Sequence, residues 1–223
     1  MNIKKNLYWL AAIGEIVAIY FEINWLHQIS KPLLMITLLI FFWSESDHRK
    51  DEKWVRHVTL ALAFSWIGDI MLMFTHLNFL LFFAGLAAFL VAHIVYIIAY
   101  IRATYKNSLN IKFSVMPILF LGYFILLAYL IIPYVDTIIQ VPITVYAVIL
   151  FLMISAAYFR KGNTNPLSFQ WVFVGAILFI VSDSLLAINR FSQTIPFANI
   201  AVMVTYIAAQ WLIVKGLLKH DPK

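Results

Sequence analysis

The chain has 223 residues, of which 64% are hydrophobic and 12% charged, and its mean hydropathy is +0.91. These values exclude a soluble globular domain and indicate an all-α integral membrane protein. Basic loops that face anionic lipid headgroups account for the net charge of +6, so nucleic-acid binding is not expected. The absence of Cys excludes disulfides, thiolate metal sites and Cys nucleophiles.

Hydropathy predicts eight transmembrane helices in a single transmembrane domain over residues 1–223. In chain order they span residues 6–24, 31–45, 55–76, 78–101, 112–134, 140–160, 166–189 and 195–218, and the second is the shortest. The first follows Lys4 and Lys5 as a signal peptide would. It carries Glu15 and Glu22, however, and no small-residue cleavage site follows it, so we interpret it as a retained helix.

The basic residues predict how these helices cross the membrane. With eight helices both termini share one side, and of the 16 Lys and Arg residues all but Lys31 and Arg190 fall on that side. The positive-inside rule therefore places both termini in the cytoplasm. We expect a multi-pass protein of the bacterial cytoplasmic membrane, and the sequence does not indicate its oligomeric state.

A short internal sequence repeat predicts two four-helix halves, residues 1–105 and 106–223. "SKPLLMITLLIFFW" opens the second predicted helix and "QVPITVYAVILFLM" the sixth. Each places a Pro in the first turn, where a missing N–H donor costs nothing. The third and seventh helices then carry "IGD" and "VSD". The two Pro-containing segments are 110 residues apart, and the two Asp-containing segments are 114 residues apart. A duplication would put Asp69 and Asp183 at related positions.

Asp69 and Asp183 are the principal candidate site residues. They stand in "FSWIGDIMLMF" and "LFIVSDSLLAI", which are otherwise apolar. At 1.5 Å per residue they lie about 18 and 26 Å from the predicted cytoplasmic starts of their helices, in the outer half of the membrane. A charged carboxylate facing lipid there costs about 2.5 kcal/mol or more, so we expect each to face the bundle interior or a wet cavity. The alternative role is a structural hydrogen bond to a neighbouring helix.

Other polar side chains share helix faces, because they lie three, four or seven residues apart. They are Glu15 and Glu22 in the first predicted helix, Ser65 beside Asp69 in the third, His93, Tyr96 and Tyr100 in the fourth, and Tyr206 and Gln210 in the eighth. His93 lies about 22 Å from the outer start of its helix, nearer the cytoplasm than either Asp. It is therefore a secondary candidate, and the alternative for it is a helix-to-helix hydrogen bond. Lys31 is a candidate phosphate contact at the outer end of the first hairpin.

Five motifs together resemble the YhhN-type lysoplasmalogenase family. They are "SKPL", "SWIGDIML", "GLAAFLVAHIVY", "GAILFIVSDSLLA" and "TYIAAQWLIV", and the likeness covers about residues 30–215. The resemblance implies an eight-helix membrane enzyme that hydrolyses the vinyl ether bond of lysoplasmalogens. The products would be a fatty aldehyde and glycerophosphocholine or glycerophosphoethanolamine. It also implies that Asp69 and Asp183 are the catalytic pair.

Two carboxyl groups suit this chemistry. Protonation of the alkene carbon gives an oxocarbenium-like cation, water adds, and the hemiacetal collapses to aldehyde and alcohol. Burial and mutual repulsion keep one Asp protonated, while the other stays charged and steadies the cation, as in glycosidases. No metal or other cofactor is required, and which Asp is the acid stays open. Candidate substrate contacts are Lys31, Glu22, His93, Tyr206 and Gln210.

Three alternatives share some of these features. A zinc hydrolase needs several converging ligands, but among the His residues only His93 lies deep in a predicted helix. A diaspartyl intramembrane protease requires "GxGD", and Trp66 stands where that motif has Gly. A proton-coupled transporter is the main alternative, because intramembrane carboxylates also form proton relays. Its expected pairs of Gly or Pro breaks at mid-membrane are missing from the sequence.

Overall fold

The computed structural model describes residues 3–109, 111 and 114–220, and this part of the chain contains eight α-helices and no β-strand. The helices are α1 (Ile3–Tyr20), α2 (Asn24–Glu45), α3 (Lys53–Met73), α4 (Leu80–Arg102), α5 (Val115–Ile131), α6 (Thr137–Tyr158), α7 (Pro166–Ala187) and α8 (Ala198–Leu218). The predicted all-α fold is confirmed. Lys112, Lys223 and the predicted start of the fifth helix at residue 112 lie outside the described residues.

Seven of the described helices, α2 to α8, are long and apolar enough to cross a membrane. The chain is therefore an integral membrane protein. The eighteen residues of α1 carry three charged side chains, Lys4, Lys5 and Glu15, and α1 is not among the seven. An eighth span formed by α1, and the side on which each terminus lies, remain predictions.

The chain divides into two compact units, a first unit over Met1–Ala99 and a second unit over Tyr100–Lys223. Their boundary falls within the last turn of α4. In the first unit α1 packs along α2 and α2 along α3, and in the second unit α5, α6, α7 and α8 pack in chain order. The duplication into halves at residues 105 and 106 remains a prediction.

The connection between α1 and α2 is three residues long. Its position shows that the predicted shared helical face of Glu15 and Glu22 was wrong. Because α1 ends at Tyr20, Glu22 lies beyond the helix and does not share a helical face with Glu15. The N–H of Ile23 donates to the carbonyl of Ala18 over 2.8 Å. Glu22 itself is exposed and adopts a left-handed backbone with φ of 55°.

The second helix is longer than hydropathy predicts, and this changes the position of Pro32. Four of the first seven residues of α2 are polar, so the continuous apolar pattern begins only where the helix is already established. Pro32 therefore lies inside α2, and Pro142 likewise lies inside α6, rather than in the first turns as predicted. Lys31 also lies within α2, and not in the connection before it. Pro is tolerated inside membrane helices because neighbouring groups satisfy the freed carbonyl.

Glycines allow α3 and α4 to approach closely. A Cβ added at Gly68 would lie 2.5 Å from the ring of Phe89, and one added at Gly85 would lie 2.7 Å from the side chain of Leu72. Small residues at helix interfaces are typical of membrane proteins, where close packing replaces the hydrophobic effect. These two contacts fix an antiparallel register for α3 and α4 at the turn that carries Asp69.

In the second unit, α7 packs against α8 through a similar close approach. A Cβ at Gly175 would lie 2.9 Å from the backbone nitrogen of Ile213 and 3.0 Å from the carbonyl oxygen of Ala209. The hydroxyl of Ser182 donates to the carbonyl of Val202 over 2.9 Å, which joins the same helices near the end of α7. These contacts hold the helix that carries Asp183.

A buried arginine joins three helix ends in the second unit. Nη2 of Arg160, which follows α6, donates to the carbonyl of Ala103 over 3.0 Å and to Oγ of Ser168 over 2.9 Å. Its guanidinium also lies 5.9 Å from the ring of Tyr100. Burial lowers the pKa of Arg160 to about 10, so the side chain stays charged at neutral pH. A cation beside the last carbonyls of α4 is favourable for that helix end.

Candidate active site

Asp69 is buried in the first unit, four residues before α3 ends at Met73. Ser65 is buried one turn earlier on the same face. Gly68 immediately precedes the carboxylate and removes the side chain that would otherwise separate α3 from Phe89. The sequence therefore places a carboxyl group at a point of close helix packing near one end of α3.

Tyr8 is a residue of this region that the sequence did not single out. It is buried on α1, and its phenol is close enough to Asp69 for the carboxylate charge to act on it. The ring of Tyr8 also meets that of Trp9 edge-on, at 5.4 Å between centroids. An aromatic hydroxyl on α1 therefore lies within electrostatic range of Asp69 in the first unit.

His93 lies on the face of α4 that packs against α3. Its ring stacks on Phe89, one turn away, at 6.3 Å between centroids, and Phe89 in turn covers Gly68. The antiparallel register places His93 level with residues 64 and 65, about 7 Å from Asp69 along the helix axis at 1.5 Å per residue. His93 therefore lies one to two turns from Asp69 within the first unit and is buried there.

Glu15 forms a second buried polar cluster in the first unit, between α1 and α2. Its Oε2 accepts a hydrogen bond from Oγ of Ser30 over 2.7 Å, and its Oε1 lies 2.9 Å from Nδ1 of His27. Glu15 is fully buried, whereas the side chain of His27 is 30% exposed. This cluster explains why the first turns of α2 are polar: they pair with a carboxylate on α1.

Asp183 lies four residues before the end of α7 and is partly buried. Oη of Tyr146, on α6, donates to Oδ2 of Asp183 over 2.6 Å. Beside it, Oη of Tyr123, on α5, donates to Oγ of Ser184 over 2.7 Å. Two tyrosines from two helices therefore hydrogen-bond to consecutive residues of α7.

Tyr206 and Gln210 are buried together at the packing of α8 on α7, within the second unit. Nε2 of Gln210 donates to Oη of Tyr206 over 3.4 Å, and the Tyr206 ring meets Phe179 edge-on at 5.5 Å between centroids. The predicted shared face of these two residues agrees with this geometry. Their role as substrate contacts remains a prediction.

The other two candidate contacts lie on either side of the start of α2. Lys31 is half-buried within α2, next to Ser30, and Glu22 is exposed after α1. Among the described residues, no group of three or more His, Asp or Glu side chains is placed to hold a metal ion.

Periodicity could not find the three tyrosines that lie near the aspartates. Tyr8, Tyr123 and Tyr146 lie in helices that each carry a second Tyr, and a helical pattern reports only neighbours on the same helix. The one available signal was chemical, since a Tyr inside a membrane helix needs a partner for its hydroxyl.

The fold and these residues define an integral membrane protein with ionisable side chains inside its helices. Residues 26–217 match the YhhN family, so the chain belongs to that family, and the predicted resemblance is confirmed. The chain is similar to lysoplasmalogenase TMEM86B of Homo sapiens, with 27% identity over 218 residues that cover 95% of this chain and 87% of that protein.

Two further relatives give the same picture. Lysoplasmalogenase TMEM86B of Sus scrofa is 29% identical over 212 residues, which cover 92% of this chain and 84% of that protein. Lysoplasmalogenase TMEM86A of Bos taurus is 26% identical over 162 residues, which cover 70% of this chain and 62% of that protein. No solved structure gives a significant match.

Proposed function

We propose that this chain is a membrane-embedded lysoplasmalogenase, an ether hydrolase that cleaves the vinyl ether bond of lysoplasmalogens. Its products are a fatty aldehyde and glycerophosphocholine or glycerophosphoethanolamine. Similarity along 95% of the chain to a protein named lysoplasmalogenase carries the proposal. The substrate is a single-chain lipid, so an enzyme within the bilayer meets it where it is dissolved.

In this proposal Asp69 and Asp183 are the acid and base pair. Both lie in helices that are apolar enough to span a membrane, where an ionisable side chain is costly and usually serves function. Each lies four residues before the end of its helix, which is a matched position within its own unit. One carboxyl group protonates the alkene carbon. The other stabilises the oxocarbenium-like cation and accepts a proton from water.

The proposed substrate contacts are Lys31, Glu22, His93, Tyr206 and Gln210. Lys31 supplies a cation for the phosphate, and the exposed Glu22 supplies an anion for the headgroup amine. The buried His93, Tyr206 and Gln210 provide polar groups among apolar helices. Side chains of these types suit a ligand with a charged headgroup and an apolar chain.

The proposal includes an orientation, with both termini in the cytoplasm of a bacterial cell and the ends of α3 and α7 near the outer surface. The distribution of Lys and Arg supports it. Reporter fusions at the two termini test it: a cytoplasmic reporter should be active at both ends. A reporter that is active only outside the membrane would overturn this orientation.

Aldehyde release by the detergent-purified protein tests the function. We expect the wild type to release aldehyde from a lysoplasmalogen, with a chelator making no difference. Asp69→Asn and Asp183→Asn should each reduce the rate by about 10²–10⁴-fold, the usual contribution of a general acid or base. Asp136→Asn is the matched control, because Asp136 is exposed and its side chain caps no amide of α6. A folded wild type that releases no aldehyde would refute the proposal.

A further inference from the structure

The polar cluster between α1 and α2 joins a buried carboxylate to a half-exposed imidazole. Oε2 of Glu15 accepts a hydrogen bond from Oγ of Ser30 over 2.7 Å, and Oε1 of Glu15 lies 2.9 Å from Nδ1 of His27. We propose that His27, together with Lys31, binds the phosphate of a single-chain phospholipid, and that Glu15 is the positioning residue that orients the His27 ring. This inference rests on the function proposed above, in which only Lys31 contacts the phosphate.

Glu15 determines which edge of the His27 ring is left for a ligand. Nδ1 of His27 is buried against the carboxylate, whereas the side chain as a whole is 30% exposed. The two ring nitrogens lie on opposite sides of the imidazole, so Nε2 is directed away from Glu15. In its charged form the ring donates from both nitrogens, from Nδ1 to Glu15 and from Nε2 to an anion. The bond from Ser30 engages the other carboxylate oxygen and so fixes the orientation of Glu15.

Lys31 adds a second basic group beside this edge. It lies four residues after His27 on α2, and residues with this spacing are neighbours on a helix surface. The Lys31 side chain is half-buried, as is that of His27. With all its side chains charged, the group formed by Glu15, His27 and Lys31 has a net positive charge. A phosphodiester would neutralise that charge, which is favourable among apolar helices.

The register of the first unit places this cluster beyond Asp69 along the helices. A three-residue connection makes α1 and α2 antiparallel, and the bond from Nε1 of Trp43 to Oγ1 of Thr59, over 2.8 Å, makes α2 and α3 antiparallel. The helices α1 and α3 therefore run in the same direction. Tyr8 lies near Asp69, and Glu15 follows Tyr8 by about 10 Å of helix at 1.5 Å per residue.

The contacts of α2 give a second value for this separation. Ser30 precedes Trp43 by thirteen residues, and Asp69 follows Thr59 by ten residues, so Ser30 lies about 5 Å further along the axis than Asp69. In a lysoplasmalogen, the chain of bonds from the carbon that bears the ether oxygen to the phosphorus spans about 7–8 Å when extended. The two axial separations, about 5 and 10 Å, bracket this length. One molecule can therefore place its vinyl ether at Asp69 and its phosphate at His27.

Binding of two matched lipids tests the phosphate contact without turnover. Lysophosphatidylcholine carries the phosphate but has an ester in place of the vinyl ether, and a monoacylglycerol with the same chain lacks the phosphate. In titrations of the detergent-purified protein, His27→Gln and Lys31→Gln should each bind lysophosphatidylcholine about ten- to a hundredfold more weakly than wild type. Both should keep the wild-type affinity for the monoacylglycerol, which also shows that they fold. Unchanged affinity of His27→Gln for lysophosphatidylcholine would overturn the inference.

His57→Gln is the matched control for the loss of an imidazole. His57 is half-buried in α3 like His27 in α2, but it lies twelve residues before Asp69, about 18 Å away along the helix. His57→Gln should bind both lipids as wild type does. A loss of lysophosphatidylcholine affinity equal to that of His27→Gln would overturn the assignment.

Two further measurements test the role of Glu15 and the source of the phosphate. Glu15→Gln should weaken binding of lysophosphatidylcholine by about three- to tenfold and leave that of the monoacylglycerol unchanged. Equal losses for both lipids would show a purely structural role and overturn the positioning role. Glycerophosphocholine should displace the bound lysophosphatidylcholine. Displacement by inorganic phosphate but not by glycerophosphocholine would indicate a site for the free ion and overturn the lipid assignment.

Kinetics separate this inference from the proposed function. In the aldehyde assay His27→Gln should raise KM about tenfold and leave kcat within about threefold, because the phosphate contact is the same in the ground state and the transition state. A fall in kcat with an unchanged KM would overturn the phosphate contact. If the wild type releases no aldehyde, the proposed function fails, whereas the binding comparison still decides whether His27 contacts a phosphate.

Discussion

Replacing Gly175 by Ala should weaken the packing of α7 on α8. The added Cβ would lie 2.9 Å from the backbone nitrogen of Ile213 and 3.0 Å from the carbonyl oxygen of Ala209, and backbone atoms cannot turn away as a side chain can. Overpacking of this kind costs about 1–3 kcal/mol. Gly122, in the middle of α5, is the matched control because a Cβ there meets nothing within 4 Å. Both variants gain about 1 kcal/mol of helix propensity.

The propensity gain cancels in the comparison, so Gly175→Ala should be less stable than Gly122→Ala by about 1–3 kcal/mol. Thermal unfolding in detergent, followed by Trp fluorescence, measures this difference. For a chain of this size the midpoints should differ by about 3–10 °C. Aldehyde release should also fall in Gly175→Ala, because α7 carries Asp183 two turns further on. Equal midpoints for the two variants would refute the close approach of α7 and α8.

Three further substitutions test single contacts. Arg160→Met should lower the thermal midpoint, because it leaves the carbonyl of Ala103 without its charged donor, at a cost of about 1–3 kcal/mol. Ser30→Ala should destabilise by a similar amount, since it removes the donor to the buried Glu15. Thr144→Ala is the control and should have little effect on unfolding, because the hydroxyl of Thr144 is exposed. Glu22→Gly should raise stability by about 1 kcal/mol because its left-handed backbone suits Gly. The same variant should raise KM for the lysoplasmalogen, and an unchanged KM would exclude Glu22 as a headgroup contact.

The helices themselves were predictable because apolar length is a strong signal, and the exceptions are the end of α1, which lies at Tyr20 and not at residue 24, and the start of α2. Hydropathy predicts a beginning at residue 31, but the helix begins at Asn24. The missing turns carry four polar residues among seven, and two of these, Ser30 and His27, pair with Glu15 across the hairpin. A contact between two helices is not visible in the hydropathy of either one. The same reason explains why Lys31 and Pro32 were predicted at a helix start and lie inside α2.

The candidate site was predictable only for residues that are chemically conspicuous. Asp69 and Asp183 were apparent because a carboxyl group in an apolar membrane helix is energetically costly and usually serves a function. Tyr146 was not apparent, because Tyr is common in membrane helices and its importance lies in the 2.6 Å bond to another helix. Similarly, nothing on α1 alone indicates that Tyr8 lies near Asp69. Sequence periodicity gives the face of a residue, and only packing gives its partner.

The two aspartates stand in similar motifs, yet different tyrosines accompany them. Tyr8, near Asp69, belongs to the first helix of its unit, whereas Tyr146, bonded to Asp183, belongs to the second helix of the other unit. Tyr123, on the first helix of the second unit, hydrogen-bonds beside Asp183 rather than to it. A duplicated pair of carboxyl groups with identical surroundings would have no reason to divide an acid role from a base role. Different surroundings are what separates such roles in enzymes that use two carboxyl groups, and here Asp69 is buried whereas Asp183 is only partly buried.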